Sequence, residues 1–294
     1  GLHNTAVGAG SLDALTAGGY NTAVGVDALG NATTQSDQNT AIGRAAMSGA
    51  IGTEDINFCT AVGDAALAGA LNASVSGSTA VGKSALAALT DGQGNIAIGY
   101  EALAQETTGA QNIVIGYQAM DDTGGAVGGG NNIVIGYAAM DGDWTGTASN
   151  KNIAIGTRTM RGAMNDCTDN TCVGYESGKA LTTGDVNCFV GSEAGHDVTA
   201  GANNTFLGSN CGSNVVDGIG NTMIGRSVVA SGTGIDKEMG IGYNFTCGGE
   251  ETMRIGVSTD YITVDFGENA TWTHSSDIRI KKDIADSGLG LDFI

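Results

Sequence analysis

The 294-residue chain contains no proline, and only 5% of its residues are aromatic. Bases are scarce as well: 12 Lys and Arg stand against 31 Asp and Glu, a formal net charge of −19. A chain so poor in cations is unsuited to phosphate backbones and anionic headgroups, which argues against nucleic acid and membrane surfaces as partners. No run of eighteen apolar residues occurs, so membrane insertion through a helix is excluded. The three His are isolated, and the six Cys (59, 167, 172, 188, 211, 247) form no CxxC pair. Neither type offers a ligand pattern, so no metal and no cofactor is expected, and the Cys read as small buried side chains. Disorder is disfavoured by 41% hydrophobic against 15% charged residues. Collagen would need Gly at every third position together with Pro.

What the chain has in abundance is Gly, 50 residues of it, placed at the end of a recurring five-residue word. The word reads Asn4-Thr5-Ala6-Val7-Gly8 at first and Asn95-Ile96-Ala97-Ile98-Gly99 further on. Further copies end at Gly25, Gly43, Gly63, Gly82, Gly116, Gly136, Gly156, Gly174, Gly191, Gly208 and Gly225, with degenerate ones ending at Gly242 and Gly256. These fifteen copies, 14 to 20 residues apart, match one coil each of a β-solenoid and are too closely spaced for helical pairs or propeller blades. Within a word, alternation puts positions two and four on one face and the small third residue on the other. So apolar a segment suits a strand buried on both sides. Four residues after Gly comes Leu or Met in the first nine copies (Leu12, Leu29, Met47 and onward to Met160), preceded by a small residue. After Gly174 that position becomes Gly178, Gly195 and Gly212.

Stacked in register, like residues form columns. A column of Asn amides can hydrogen-bond along the axis, and Gly permits a sharp bend and a close approach of backbones. Pro is shut out because every strand amide serves its neighbour. The interior of so small a coil, filled with Ala and Gly, is too thin to hide the stripe at positions two and four. Identical chains are the economical cover for it. The fold expected is therefore all-β, a parallel β-roll or β-solenoid of about fifteen 14–20-residue coils, packed as a homotrimer. Residues 1–256 form the repeat region, with a pattern change near 161–170 read as an internal transition; residues 257–276 alternate like an ordinary strand. The first residues open in mid-pattern, as expected of a piece of a longer chain.

The Asn-Thr-Ala-Val-Gly and Asn-Ile-Ala-Ile-Gly words resemble the head repeats of trimeric autotransporter adhesins and similar repeats of phage tail fibres, over roughly residues 4–256. The resemblance implies three left-handed rolls around a common axis. Farther on, Ser275-Ser276-Asp277-Ile278-Arg279-Ile280-Lys281-Lys282-Asp283-Ile284 resembles the opening of the endosialidase-type intramolecular chaperone, which assists trimerisation and then cuts itself off. By that resemblance Ser276 is the nucleophile and Lys281 the base, with the scissile bond beside Asp277, and residues 277–294 are the incomplete start of the chaperone domain. A Lys whose pKa is lowered by burial can activate a hydroxyl. The other reading of this segment is a stalk with Ile278, Ile280, Ile284 and Leu289 as its apolar stripe.

Tyr100, Tyr117, Tyr137, Tyr175 and Tyr243 each follow a terminal Gly. A Tyr column can stack glycans or simply stabilise the surface, and the second reading carries more weight. Surface contact is expected at Trp144, which lies in a long insertion, and at Tyr117 and Tyr137. Acidic loops at Asp121-Asp122 and Asp141-Gly142-Asp143 read as solvated and not as Ca²⁺ sites, for they match no known calcium-loop pattern. Apart from single-turnover self-cleavage, no enzyme activity is expected. The function expected is that of a structural trimeric protein, the distal part of a phage tail fibre, located on the virion and outside the host cell. Its partners would be a host-surface glycan or protein receptor and other tail or fibre proteins. The alternatives are a cellular trimeric adhesin or extracellular filament and, with less support, a glycan-cleaving tail spike.

Overall fold

A computed structural model of the chain describes residues 2–267 apart from 33–35, 50–54, 125–127 and 145, together with the backbone of Thr271–His274. Thirteen three-residue strands run from Thr5–Val7 (β1) to Thr222–Ile224 (β13), one on each full copy of the word. They stack in parallel and in register: Thr5 faces Thr22, Ala6 faces Ala23, and the pattern repeats strand by strand. Met239–Tyr243 (β15) and Thr252–Val257 (β17), on the two degenerate copies, continue the parallel stack. A short second ladder joins Val228–Val229 (β14) to Phe245–Thr246 (β16). The product is a parallel β-solenoid, about 70 Å long at ~4.8 Å per strand. Across residues 161–170 the register is unbroken, Ile153–Ile155 (β9) pairing with Thr171–Val173 (β10).

Beyond Val257 the chain reverses. Asp260–Asp265 (β18) returns antiparallel along β17, and Thr271–His274 (β19) pairs antiparallel with β18. The alternation after residue 257 thus forms a small meander on the last coil.

Each coil turns through left-handed backbone. Positive φ falls at the residue before Asn, at the terminal Gly, and two and four residues after that Gly, as in Gln38 (60°), Gly25 (142°), Asp27 (55°) and Leu29 (50°). Non-Gly residues pay roughly 1–2 kcal/mol each for this conformation. They hold it because the turns are themselves paired from coil to coil. Leu29 N–H donates to the Ala46 carbonyl at 2.9 Å, and Met47 N–H donates to Ala66 likewise.

Two internal columns tie the coils together. From Asn95 to Asn221 eight asparagines form an unbroken ladder, the backbone N–H of each from Asn112 onward donating to the side-chain oxygen of the Asn below at 2.9–3.1 Å, while the Asn95 N–H donates to the Ser78 hydroxyl at 3.3 Å. Their Nδ2 groups donate both to that oxygen and to a turn carbonyl of the coil above, as Asn132 does to Asn112 and Ser149. Glu238 closes the ladder, its N–H donating to Asn221 and its carboxylate accepting from Ser231 and Gly249. The second column is the core, which is fuller than Ala and Gly alone. Leu29, Met47, Leu67, Leu86, Leu103, Met120, Met140 and Met160 are wholly buried against the small middle residues of the strands.

Where the middle residue grows, its partner shrinks. Phe189 and Phe206 take the place of Ala and stack at 5.0 Å. The Leu/Met position is then Gly195 and Gly212, where a Cβ would meet those same rings. The change after Gly174 is therefore an exchange of volume between two facing columns.

Candidate functional site

The strand's inner face is sealed, since Ala23, Ala41, Val114, Val134, Phe189 and Phe206 are fully buried. Its outer face is not. Positions two and four lie half-buried or exposed along the rod, with Ile42 40%, Ile98 38%, Ile113 37% and Leu207 48% accessible. In the single chain, then, these strands are buried on one side only. Position four is Val, Ile or Leu in every full copy, whereas position two is Ile only from Ile96 to Ile153, Cys at 188 and Thr elsewhere. The apolar stripe is therefore one column wide over most of its ~70 Å and two columns wide across the four central coils.

Beside this face runs the column that follows each terminal Gly. Tyr100, Tyr117 and Tyr137 stack with ring centroids 4.9 and 5.7 Å apart. The Lys83 ammonium lies 5.5 Å from the Tyr100 ring, and Arg226 lies 5.8 Å from Tyr243. A hydrogen bond and negative charge from Glu101 push the Tyr100 phenol pKa up. Tyr117 and Tyr137 are exposed, in the place expected of surface contacts.

Trp144 is not. It is 3% accessible, packed over Gly129 and within the core, so it offers no exposed contact. The insertion that carries it folds inward because a 20-residue coil must cover extra interior, and a large apolar ring is the means of doing so. Ser276, Asp277 and Lys281 lie outside the described residues. All six Cys are unpaired, and all but Cys188 are buried. Burial pushes the thiols of Cys167 and Cys211 up to about 12, which leaves them unreactive.

A feature that reading by words missed is a charged column one residue beyond Leu/Met. Asp121 and Asp141 stand in successive coils, followed by Arg161, Lys179 and His196; the spacing from Met120 and Met140 was the signal that aligned them. Arg161 reaches Asp141 at 3.7 Å, Lys179 reaches Glu176 at 2.9 Å and His196 reaches Asp197 at 3.2 Å. Asp141, Arg161, Lys179, His196 and Asp197 line an open groove of mixed charge. Partial burial, then a hydrogen bond and repulsion from Asp141, with further repulsion from Asp122 and Glu101, push the Asp121 carboxyl up to about 8. Two carboxyls sharing a proton sit closer than the ~5 Å or more that glycosidase pairs need. Among the described residues no group of three or more His, Cys, Asp and Glu could hold a metal ion. Nor is any helix there long and apolar enough to cross a membrane.

The raised Asp121 pKa has a consequence for stability. A carboxyl whose folded pKa exceeds its unfolded value of about 3.9 favours the folded state at low pH. That contribution is complete below about pH 4 and is lost as pH rises through about 8. The melting temperature is expected to fall between pH 5 and pH 9, and Asp121→Asn is expected to flatten the fall. Thermal unfolding by circular dichroism at both pH values checks this.

No family model, curated protein or solved structure matches the chain.

Proposed function

We propose that the chain is a structural fibre protein, three copies of which pack their outer strand faces around a common axis. The observation that carries this reading is the length of the exposed apolar stripe, which no second layer covers among the described residues. Cyclic packing of the three stripes removes about 25 cal/mol from the free energy per Å² of apolar surface covered. Acidic turns keep such a rod soluble and discourage lateral association.

The resemblance of the repeat words and of residues 275–284 to phage tail fibres supports a place at the distal end of a virion tail fibre, touching the host surface. It supports maturation by self-cleavage beside Asp277 in the same way. Two expected results test the parts separately. Ile113→Asp with Ile115→Asp places charges in the centre of the stripe, at a cost of several kcal/mol per buried charge, and should convert trimers to single chains by native mass. A soluble trimer carrying both changes would count against the packing. In a chain with a complete C-terminal chaperone, Ser276→Ala should leave a full-length band on a denaturing gel, whereas unchanged cleavage would remove Ser276 as the nucleophile.

A further inference from the structure

The tyrosine column contains a gap of one coil. Tyr137 ends the stack of three, the next coil carries Thr157 at that position, and the one after it returns to Tyr175. Register holds across the gap: Arg158 N–H donates to the Tyr137 carbonyl and Glu176 N–H to the Thr157 carbonyl, both at 3.0 Å. Tyr137, Thr157 and Tyr175 are all exposed. Elsewhere in the column Lys83 caps Tyr100 and Arg226 caps Tyr243. Among the described residues, no ring or cation covers the facing sides of Tyr137 and Tyr175.

We propose that the slot formed by Tyr137, Thr157 and Tyr175 binds one pyranose ring of a glycan, sandwiched between the two phenol faces. Two coils at ~4.8 Å set those faces about 10 Å apart. A flat ring in contact with both would need a separation of only about 7–8 Å, so an aromatic ligand is held on one side at most. A chair pyranose is thicker, through its pucker and its axial hydrogens, and its C–H faces are drawn to the negative face of each phenol. Polar groups stand at the rim, where ring hydroxyls would emerge: the Thr157 hydroxyl, the Arg158 guanidinium and the Glu176 carboxylate. Glu176 is held in place by Lys179 at 2.9 Å, by Arg158 at 3.6 Å and by a hydrogen bond from the Tyr175 hydroxyl. With Lys179 and Arg158 both paired to it, the Glu176 carboxylate is not a free anion for an organic cation, which favours a neutral sugar as the occupant. Apolar walls with a few convergent polar groups are the usual make-up of a small-ligand site.

This deepens the attachment reading, on which it rests only for the source of the glycan. Saturation-transfer NMR with methyl glucoside, galactoside, mannoside and N-acetylglucosaminide, each at millimolar concentration, should give signal from at least one. Tyr137→Ala and Tyr175→Ala should each weaken that binding about tenfold or more, and Tyr20→Ala should leave it unchanged. Thr157→Tyr, which completes the stack without touching the core, should abolish it while the circular dichroism spectrum is retained. Silence from every pyranoside, signal that survives Thr157→Tyr, or a stronger response to tetramethylammonium would each overturn the proposal. Native mass recorded alongside separates the two readings: a trimer that binds no pyranoside sinks the slot and leaves the assembly standing.

Discussion

Gly136→Ala is expected to break the rod locally, destabilising it by more than about 3 kcal/mol. Gly136 has φ of 144°, a region L side chains rarely adopt, and an added Cβ would lie 2.6 Å from the carbonyl carbon of Gly156. That atom is backbone of the next coil, itself fixed by the Gly156 N–H donating to Ile135 at 2.8 Å, so neither partner has room to yield. The same stacking recurs at each terminal Gly from coil to coil, which explains why the last residue of the word does not vary. Amide exchange should show lost protection in the strands Ile133–Ile135 and Ile153–Ile155 and retained protection several coils away, since each coil touches only its neighbours. A melting curve and exchange pattern equal to the parent's would remove the Gly column from the account of the fold.

The second large effect concerns volume. Phe206→Ala alone should cost about 3–5 kcal/mol through the cavity it leaves and the lost stacking on Phe189. Gly212→Leu alone should also destabilise severely, because its Cβ would lie 2.5 Å from Cγ of the Phe206 ring. Together the two changes recreate the pairing of Ala23 with Leu29, both wholly buried in the second coil. The double variant should therefore be more stable than the sum of the singles predicts, by about 2–3 kcal/mol. Chemical denaturation of the four proteins measures that coupling, and strict additivity would show that the two columns do not trade volume.

Much of this architecture was legible in the sequence because the period is short, the word ends on Gly in all fifteen copies and it begins with Asn in eleven of the thirteen full ones, Cys59 and Ser78 being the exceptions. Asn and Gly announce a ladder and a bend, and Val or Ile at alternate positions announces a strand; the registered stack follows from repetition. The packing of the interior was less open to reading. Leu29 and its counterparts sit at positive φ, where propensity argues against Leu, and only pairing between coils places them inward. Trp144 misleads for a related reason: the length of an insertion says nothing of whether it bulges outward or folds over the core. Reversal of the chain after Val257 was equally hidden, since alternation marks a strand and not its direction. At the surface, Tyr117 and Tyr137 were found by position, but the slot at Thr157 has meaning only once both its neighbours are known to be in register. Asp121 and Asp141 came together in the same manner, as two loop residues that stacking makes into a pair.

The account depends most on who covers the outer strand face, and native mass spectrometry of the folded chain measures that directly. Three chains per particle is the predicted result, with the stripe at Ile98 and Ile113 protected from solvent exchange in the assembly. A monodisperse single chain, stable and soluble with that face open to water, would contradict it.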